Sequence, residues 1–242
     1  VKSRGLGDVY KRQPLVMLVI LLLIWLSSLS SLPIKRVEEH AFSPSLKTII
    51  KQPSVIGFFI GCFLMKVAHG PYYIFYSIYL DAYGYSTVQI GLLWSLAVLA
   101  EFALFLVMSQ LIDSLGLKRI LLISTAAGVI RWTIIGYAAP YWAVLLFAQL
   151  LHALTFASYH ASAVEWVRRK FGSQLQGQGQ AIYSAVSFGA GSAVGSYISG
   201  LLWTDQISIA WTSTWLLAST VSAIAFAVYY FSMIRDTKLS KS

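Results

Sequence analysis

The sequence predicts an all-α membrane protein with seven transmembrane helices, and three observations carry that reading. Apolar residues make up 57% of the 242-residue chain and charged residues only 11%, with a mean hydropathy of +0.70; a soluble domain averages about 25% charged residues. Seven stretches reach the roughly 20 mostly apolar residues that a helix needs to cross a bilayer: about 14–32, 53–80, 87–111, 120–138, 141–166, 178–203 and 208–233. Basic residues then alternate between the loops that join them.

Lys35, Arg36, Lys47 and Lys51 lie in the first loop, Lys118 and Arg119 in the third, Arg168, Arg169 and Lys170 in the fifth, and Arg235, Lys238 and Lys241 in the tail. The second, fourth and sixth loops have none. Loops rich in Lys and Arg stay cytoplasmic, so the alternation supports the span count and puts the C-terminus inside. After the first span, "PIKRVEEHAFSPSLKTIIKQ" at 33–52 is polar and carries two prolines; it reads as a cytoplasmic linker between helical bundles. Six spans follow over 53–233, a number that suits two sets of three although no clear internal repeat is visible, and residues 234–242 form a cytoplasmic tail. The segment "VKSRGLGDVYKRQ", residues 1–13, breaks the pattern, because its Lys2, Arg4, Lys11 and Arg12 would lie outside. It resembles translated adaptor sequence and is set aside from the fold as a scar. An odd count with a long linker after the first helix then fits a fragment that starts at the last helix of a truncated N-terminal bundle.

A formal charge of +9 raises nucleic acid as a partner, but the basic residues form small clusters between apolar runs, without the stripe of interleaved aromatics that nucleic acid requires. No nucleic-acid role is expected. Cys62 is the one cysteine and lies within an apolar run, so no intrachain disulfide or Cys-based metal site is expected, and it reads as a small buried hydrophobe. No phosphate-binding glycine loop, HExxH or GxSxG occurs, and no nucleophile can be placed beside a base. Neither an enzyme nor a cofactor is expected.

Two basic residues fall inside spans, Lys66 and Arg131, with Glu101 as their acidic counterpart. Counted from the cytoplasmic end of each helix, Lys66 lies about 13 residues in, Glu101 and Arg131 about 12, and His152 about 16, which at 1.5 Å per residue is about 18 to 24 Å. Four helices therefore place an ionisable group in one layer near the midplane. An isolated charge there costs roughly 2.5 to 3.5 kcal/mol on insertion scales, so Glu101 is expected to be met by Arg131, Lys66 or His152 across the bundle. Two readings stay open: a static Glu101–Arg131 pair that fixes helix packing, or a carboxylate and a histidine that titrate during transport.

His69, Gly70, Tyr73 and Tyr76 share with Lys66 a stripe about 80° wide on one helix. Gly70 and Pro71 sit mid-span, a pair able to kink or unwind a helix beside a cavity. Tyr79 and Tyr83 suit an interfacial belt, whereas Tyr73 and Tyr76, with Trp94 on the following helix, suit a site that stacks on a planar ligand. His160 lies eight residues past His152 in the cytoplasmic half, in packing or on a proton route. Glu165, beside "RRK" at the membrane boundary, reads as a surface or cytoplasmic-gate residue. Ser187, Gly191, Gly195 and Ser199 recur every four residues and form one small-residue face for close helix contact.

The stretch "SQLIDSLGLKRIL", residues 109–121, resembles the signature loop of the major facilitator superfamily, G-x-L-x-D-R-x-G-R-[KR]-R. Asp113, Gly116, Lys118 and Arg119 match; Ser109, Ser114 and Leu117 depart from it. The resemblance implies a gating loop at those residues. "AHGPYYIFYSIYLDAYGYSTVQIGLLWSLAVLAEFALF", "LLISTAAGVIRWTIIG" and "LLHALTFASYHASAV" look like the C-terminal half of the phenylpropionate permease family of proton-linked transporters. That family is similar in turn to the lactose permease group, where an acid, an arginine and a histidine on the second, third and fourth helices of this half bind substrate and couple protons. Glu101, Arg131 and His152 fall on those helices, and Lys66 departs from the family pattern.

What the resemblance implies is the C-terminal bundle of a twelve-helix major facilitator fold, in a bacterial inner membrane, working by alternating access with its missing N-terminal bundle. The expected function is proton symport of a small organic solute, an aromatic carboxylate such as 3-phenylpropionate. Glu101, His152 and Arg131 would serve proton coupling, and Lys66, His69, Tyr73, Tyr76 and Trp94 would line the substrate. A sugar or nucleoside is the alternative solute, and a membrane receptor or assembly protein that kept the fold is the alternative class.

Overall fold

The structure, a computed structural model, describes residues 16–24, 26–27, 45–202 and 209–233. Residues 1–13, the linker up to residue 44 and the tail from residue 234 lie outside the described residues, and with them Lys35, Arg36, Arg235, Lys238 and Lys241. The chain divides into two units, Val1–Ala41 and Phe42–Ser242. In the first, residues 16–24 and 26–27 are helical with their apolar side chains exposed, the surface a helix offers to lipid or to other helices.

In the second unit a short helix α1 (Leu46–Ile50) leads into α2 (Pro53–Ala82). Pro53 opens α2 where its missing N–H is no loss. The helix runs 30 residues without interruption, so Gly70 and Pro71 do not unwind it as their sequence suggested. Pro71 cannot bond the carbonyl of Val67, four residues back. That oxygen is instead covered by Gly195, whose missing Cβ would lie only 2.6 Å from it. Gly70 faces the same contact, its absent Cβ 2.3 Å from the Gly195 carbonyl carbon.

Ser86 starts α3 (Thr87–Phe105) with a capping box, its hydroxyl accepting from Gln89 N while the Gln89 side chain accepts from Ser86 N. The predicted span to residue 111 continues, after a break at Leu106 and Val107, as α4 (Met108–Leu115). Gly116 then reverses the chain at φ 78° into α5 (Leu117–Ala138). The remaining helices are α6 (Trp142–Ala153), a π-helical segment Leu154–Ser158, α7 (Tyr159–Ser184), a second π segment Ala185–Gly191, α8 (Ser192–Leu202) and α9 (Ile209–Met233).

Among the described residues five stretches are long and apolar enough to cross a membrane: 53–82, 87–105, 117–138, 142–202 and 211–233. The fourth is 61 residues, about 92 Å of helix against a hydrocarbon core of about 30 Å. Gly172, at φ 67° and ψ 176°, breaks it, between the two spans expected at 141–166 and 178–203. Only glycine occupies that backbone region without strain.

α9 packs on both α2 and α5, α8 and the second π segment pack on α2, and α3 packs chiefly on α6. Lipid tails are as apolar as leucine, so close contact and polar bonds hold such helices together. The predicted small-residue face supplies the contact: Ser187, Gly191, Gly195 and Ser199 are all buried, and a Cβ on Gly191 would meet Phe63 O at 2.8 Å. Two apolar clusters form the interior. One gathers Phe58, Met65, Trp166, Tyr183 and Tyr229, with Phe58 stacked on Trp166 at 3.7 Å; Cys62 is buried there and accepts from Tyr229 Oη at 3.4 Å. The other gathers Tyr72, Tyr76, Tyr79, Trp132, Trp211 and Trp215. The change from one cluster to the other falls between Met65 and Ala68 on α2 and between Leu121 and Trp132 on α5. Lys66 and Arg131 lie at that junction.

Candidate functional site

The junction is a polar layer built by α2, α3, α5, α6 and the two π segments. α3 contributes Glu101 and α6 contributes His152, whose Nε2 lies 2.5 Å from Glu101 Oε1, with the imidazole buried and the carboxylate side chain 17% exposed. Of the three partners expected for Glu101, His152 is the one that reaches it. A protonated Nε2 donates to the carboxylate, while His152 Nδ1 is buried without a partner.

Arg131 does not pair with Glu101, which overturns the static Glu101–Arg131 reading. Three of its five N–H donors are committed: Nε to Ala148 O at 3.0 Å, Nη1 to Thr155 Oγ1 at 3.2 Å and Nη2 to Gln149 Oε1 at 3.4 Å. Tyr72 and Trp132 place ring centroids 4.2 and 4.4 Å from the guanidinium carbon. Cation–π contacts contribute about 2 kcal/mol or more each when desolvated, enough with three hydrogen bonds to offset an insertion cost of roughly 2.5 to 3.5 kcal/mol. Arg131 is therefore held by its own protein.

Gln149 ties the layer together. Tyr72 Oη donates to its Oε1 at 2.9 Å, and its amide nitrogen donates to Tyr76 Oη. The stripe predicted on α2 consequently divides. His69 is buried, donates Nδ1–H to Met65 O at 2.7 Å and leaves Nε2 without a partner. Tyr76 is buried in the Gln149 network, Gly70 packs on Gly195, and only Tyr73, at 46% exposure, stays open. Trp94 packs on Tyr72 at 4.6 Å and Tyr73 at 6.4 Å, with Nε1 donating to Ser77 Oγ. Tyr79, expected in an interfacial belt, is buried and donates to Ile135 O at 2.8 Å.

Lys66 is 3% exposed. Its ammonium lies 4.0 Å from the Phe188 ring centroid, 4.4 Å from that of Phe156 and 5.9 Å from that of Tyr73. Among the described residues it makes no ion pair and no hydrogen bond. Phe156 belongs to the first π segment and Phe188 to the second. A π turn carries one residue more than the α-helix around it and re-aims the side chains that follow, and such turns gather at functional sites.

A cavity of about 510 Å³ is lined by Asp113, His160, Glu165 and Arg169 with Phe105, Ser109, Ile112, Ala161 and Val164. His160 Nδ1 lies 2.9 Å from Tyr183 Oη, and Glu165 pairs along its own helix with Arg168 at 2.6 Å and Arg169 at 2.7 Å. The expected gating loop is brought only partly together: Asp113 faces the cavity, Lys118 lies over the Tyr230 ring at 6.0 Å, and Arg119 is exposed.

Sequence reading missed Tyr72, Trp132, Gln149, Thr155, Phe156 and Phe188. Gln149 carried a signal, as the lone amide of an apolar run three residues before His152. The aromatic residues carried none, because a ring that holds a cation and one that fills a core look alike in sequence.

Fold and site together define a multi-pass helical membrane protein with a polar layer at the junction of its two apolar clusters. The chain matches the MFS_1 like family over residues 6–234 and belongs to it, a member of the major facilitator superfamily. It is 38% identical over 148 residues to the "Probable 3-phenylpropionic acid transporter" of Escherichia coli (strain K12), a match covering 60% of this chain and 38% of that protein. Xanthosine permease of the same organism is 22% identical over 148 residues, 58% of this chain and 35% of the permease. The matched regions thus span well under two thirds of these relatives. The crystal structure of nucleoside transporter NupG (D323A mutant) superposes with a TM-score of 0.67 at 16% identity, covering 84% of this chain and 56% of that one. That likeness shows the fold.

Proposed function

We propose that this chain is the later part of a twelve-helix proton symporter of the bacterial cytoplasmic membrane that takes up an aromatic carboxylate such as 3-phenylpropionate. The observation that carries the reading is the Glu101–His152 bond, a carboxylate and an imidazole 2.5 Å apart inside the membrane layer. A proton taken by Glu101 removes its negative charge and weakens its hold on the His152 N–H. An organic anion and a proton crossing together form a neutral load, which a low-dielectric layer passes at far lower cost than either charge alone. Arg131, buried among its neighbours and bonded to Thr155 and Gln149, keeps the local field positive and orients both. Tyr73 and Trp94 offer ring faces to an aryl group.

In this reading 142–202 crosses twice with its turn at Gly172, the chain crosses seven times, and the basic loops and C-terminus are cytoplasmic. Residues 1–13 are the scar, 14–32 the last helix of the preceding bundle and 33–52 the linker. Asp113, Gly116, Lys118 and Arg119 form the gating loop beside the cavity of His160 and Glu165, and a second bundle closes the site and rocks against this one. Similarity to xanthosine permease and to the NupG fold favours a second reading, a nucleoside as the solute, since the same rings would stack on a base.

Uptake of radiolabelled 3-phenylpropionate by cells expressing the full-length transporter that carries this sequence tests both readings. Uptake that collapses with a protonophore and in Glu101→Gln is the expected result. Protonophore-sensitive uptake of labelled xanthosine but not of 3-phenylpropionate would select the second reading. Failure of both would point to a receptor or assembly protein that kept the fold.

A further inference from the structure

We infer that Lys66, and not Arg131, is the cation that receives the substrate's carboxylate, and that the site is built for an aryl monocarboxylate rather than a neutral solute. The inference rests on the transport reading above and deepens it. Of the ionisable groups in the layer, Glu101 and His152 are bonded to each other. Arg131 is 0% exposed, has three of its five N–H donors on protein acceptors and has rings beside its guanidinium, so a substrate oxygen could reach it only by displacing the side chains packed around it. Arg131 is a positioning residue.

Lys66 is the converse case. An ammonium has three N–H donors and no acceptor, and this one touches only ring faces. Rings attract a cation but leave its hydrogen bonds unmade. A carboxylate, an acceptor of charge-assisted N–H bonds, supplies what the rings do not. Glu101 is engaged by His152, so the carboxylate comes from the ligand.

The surroundings match the rest of an aryl acid. Tyr73, the half-exposed tyrosine, has its ring centroid 5.9 Å from Lys66 Nζ and is stacked beside Trp94 at 6.4 Å and 24°. A ligand with its carboxylate on Lys66 finds an aromatic wall directly beyond. Phe156 and Phe188, delivered by the two π segments, fix the ammonium at that end.

The test uses the purified full-length transporter and tryptophan fluorescence, with 3-phenylpropionate and its neutral isostere 3-phenylpropionamide as probes. The native protein is expected to bind the acid at least about tenfold more tightly than the amide. Lys66→Gln is expected to weaken the acid by about 10- to 100-fold with amide affinity unchanged, which also shows that the site is folded. Lys66→Arg is expected to keep most of the preference for the acid. Retention of the full acid-over-amide preference in Lys66→Gln, with its loss in Arg131→Gln, overturns the inference while leaving the transport reading intact. A native protein that binds xanthosine and neither phenyl compound overturns the inference and the aromatic-acid reading together.

Discussion

Replacing Gln149 by leucine removes the amide that three buried side chains share. Leucine is of similar size, so little of the effect comes from lost volume. The loss is in the bonds: one from Tyr72 Oη at 2.9 Å, one from Arg131 Nη2 at 3.4 Å and one donated to Tyr76 Oη. A neutral hydrogen bond contributes about 1 kcal/mol net, and a buried polar group left unpaired costs about 1 to 3 kcal/mol. Tyr76 Oη and Tyr72 Oη can turn toward each other, their rings being 4.9 Å apart, and Arg131 keeps two of its three bonds. A total of about 2 to 4 kcal/mol follows, or a fall on the order of 10 °C in apparent melting temperature. Gln149→Glu, which still accepts from Tyr72 and Arg131, should retain most of the stability. The assay is thermal unfolding of the purified full-length transporter followed by size exclusion. A leucine variant that melts within about 1 °C of the native protein would show that packing alone holds Arg131 and that the network contributes nothing.

Gly195→Val should abolish a monodisperse protein, because its new Cβ would meet Val67 O at 2.6 Å and Val67 Cα at 2.8 Å, backbone atoms that cannot swing aside. Gly200→Val, with nothing within 4 Å of its Cβ, should elute normally in the same chromatography. Gly172→Ala should lower the melting temperature through backbone strain alone, since φ is 67° and nothing lies within 4 Å; that strain costs about 1 to 3 kcal/mol. Gly177→Ala, equally open but without a positive φ, is the control expected to be neutral.

The apolar helices within 53–233 were legible because apolar run length is a one-dimensional signal, and so was the gathering of Lys66, Glu101, Arg131 and His152 into one layer of the bundle, since helix rise converts sequence position into distance along each axis. Rotation about each axis was not. Which of three partners meets Glu101 depends on helix phase, and the π segments before Tyr159 and Ser192 each add a residue that an α-periodic count does not contain. The fate of Gly70 and Pro71 turned on Gly195, a residue 124 positions away from Pro71 in sequence. The small-residue face around Gly195 was visible, but its partner helix was not. Likewise Tyr76 reads as a lining residue until Gln149 is seen to claim its hydroxyl.

The helix that carries Glu101 is the least embedded of the five long apolar stretches among the described residues: only 11% of α3's most apolar stretch is buried, with Val88, Leu92, Leu99 and Phe102 facing outward, and its chief neighbours are α6 and the π turn that follows it. The Glu101–His152 bond is therefore a latch that fastens this outward-facing helix to α6. Whatever changes the charge on either side of that latch alters how firmly the helix is fastened. On the proposed symport reading, a proton that reaches this carboxylate would act directly on the fastening of the helix, with no separate lever: bolt and hinge plate meet at one side chain.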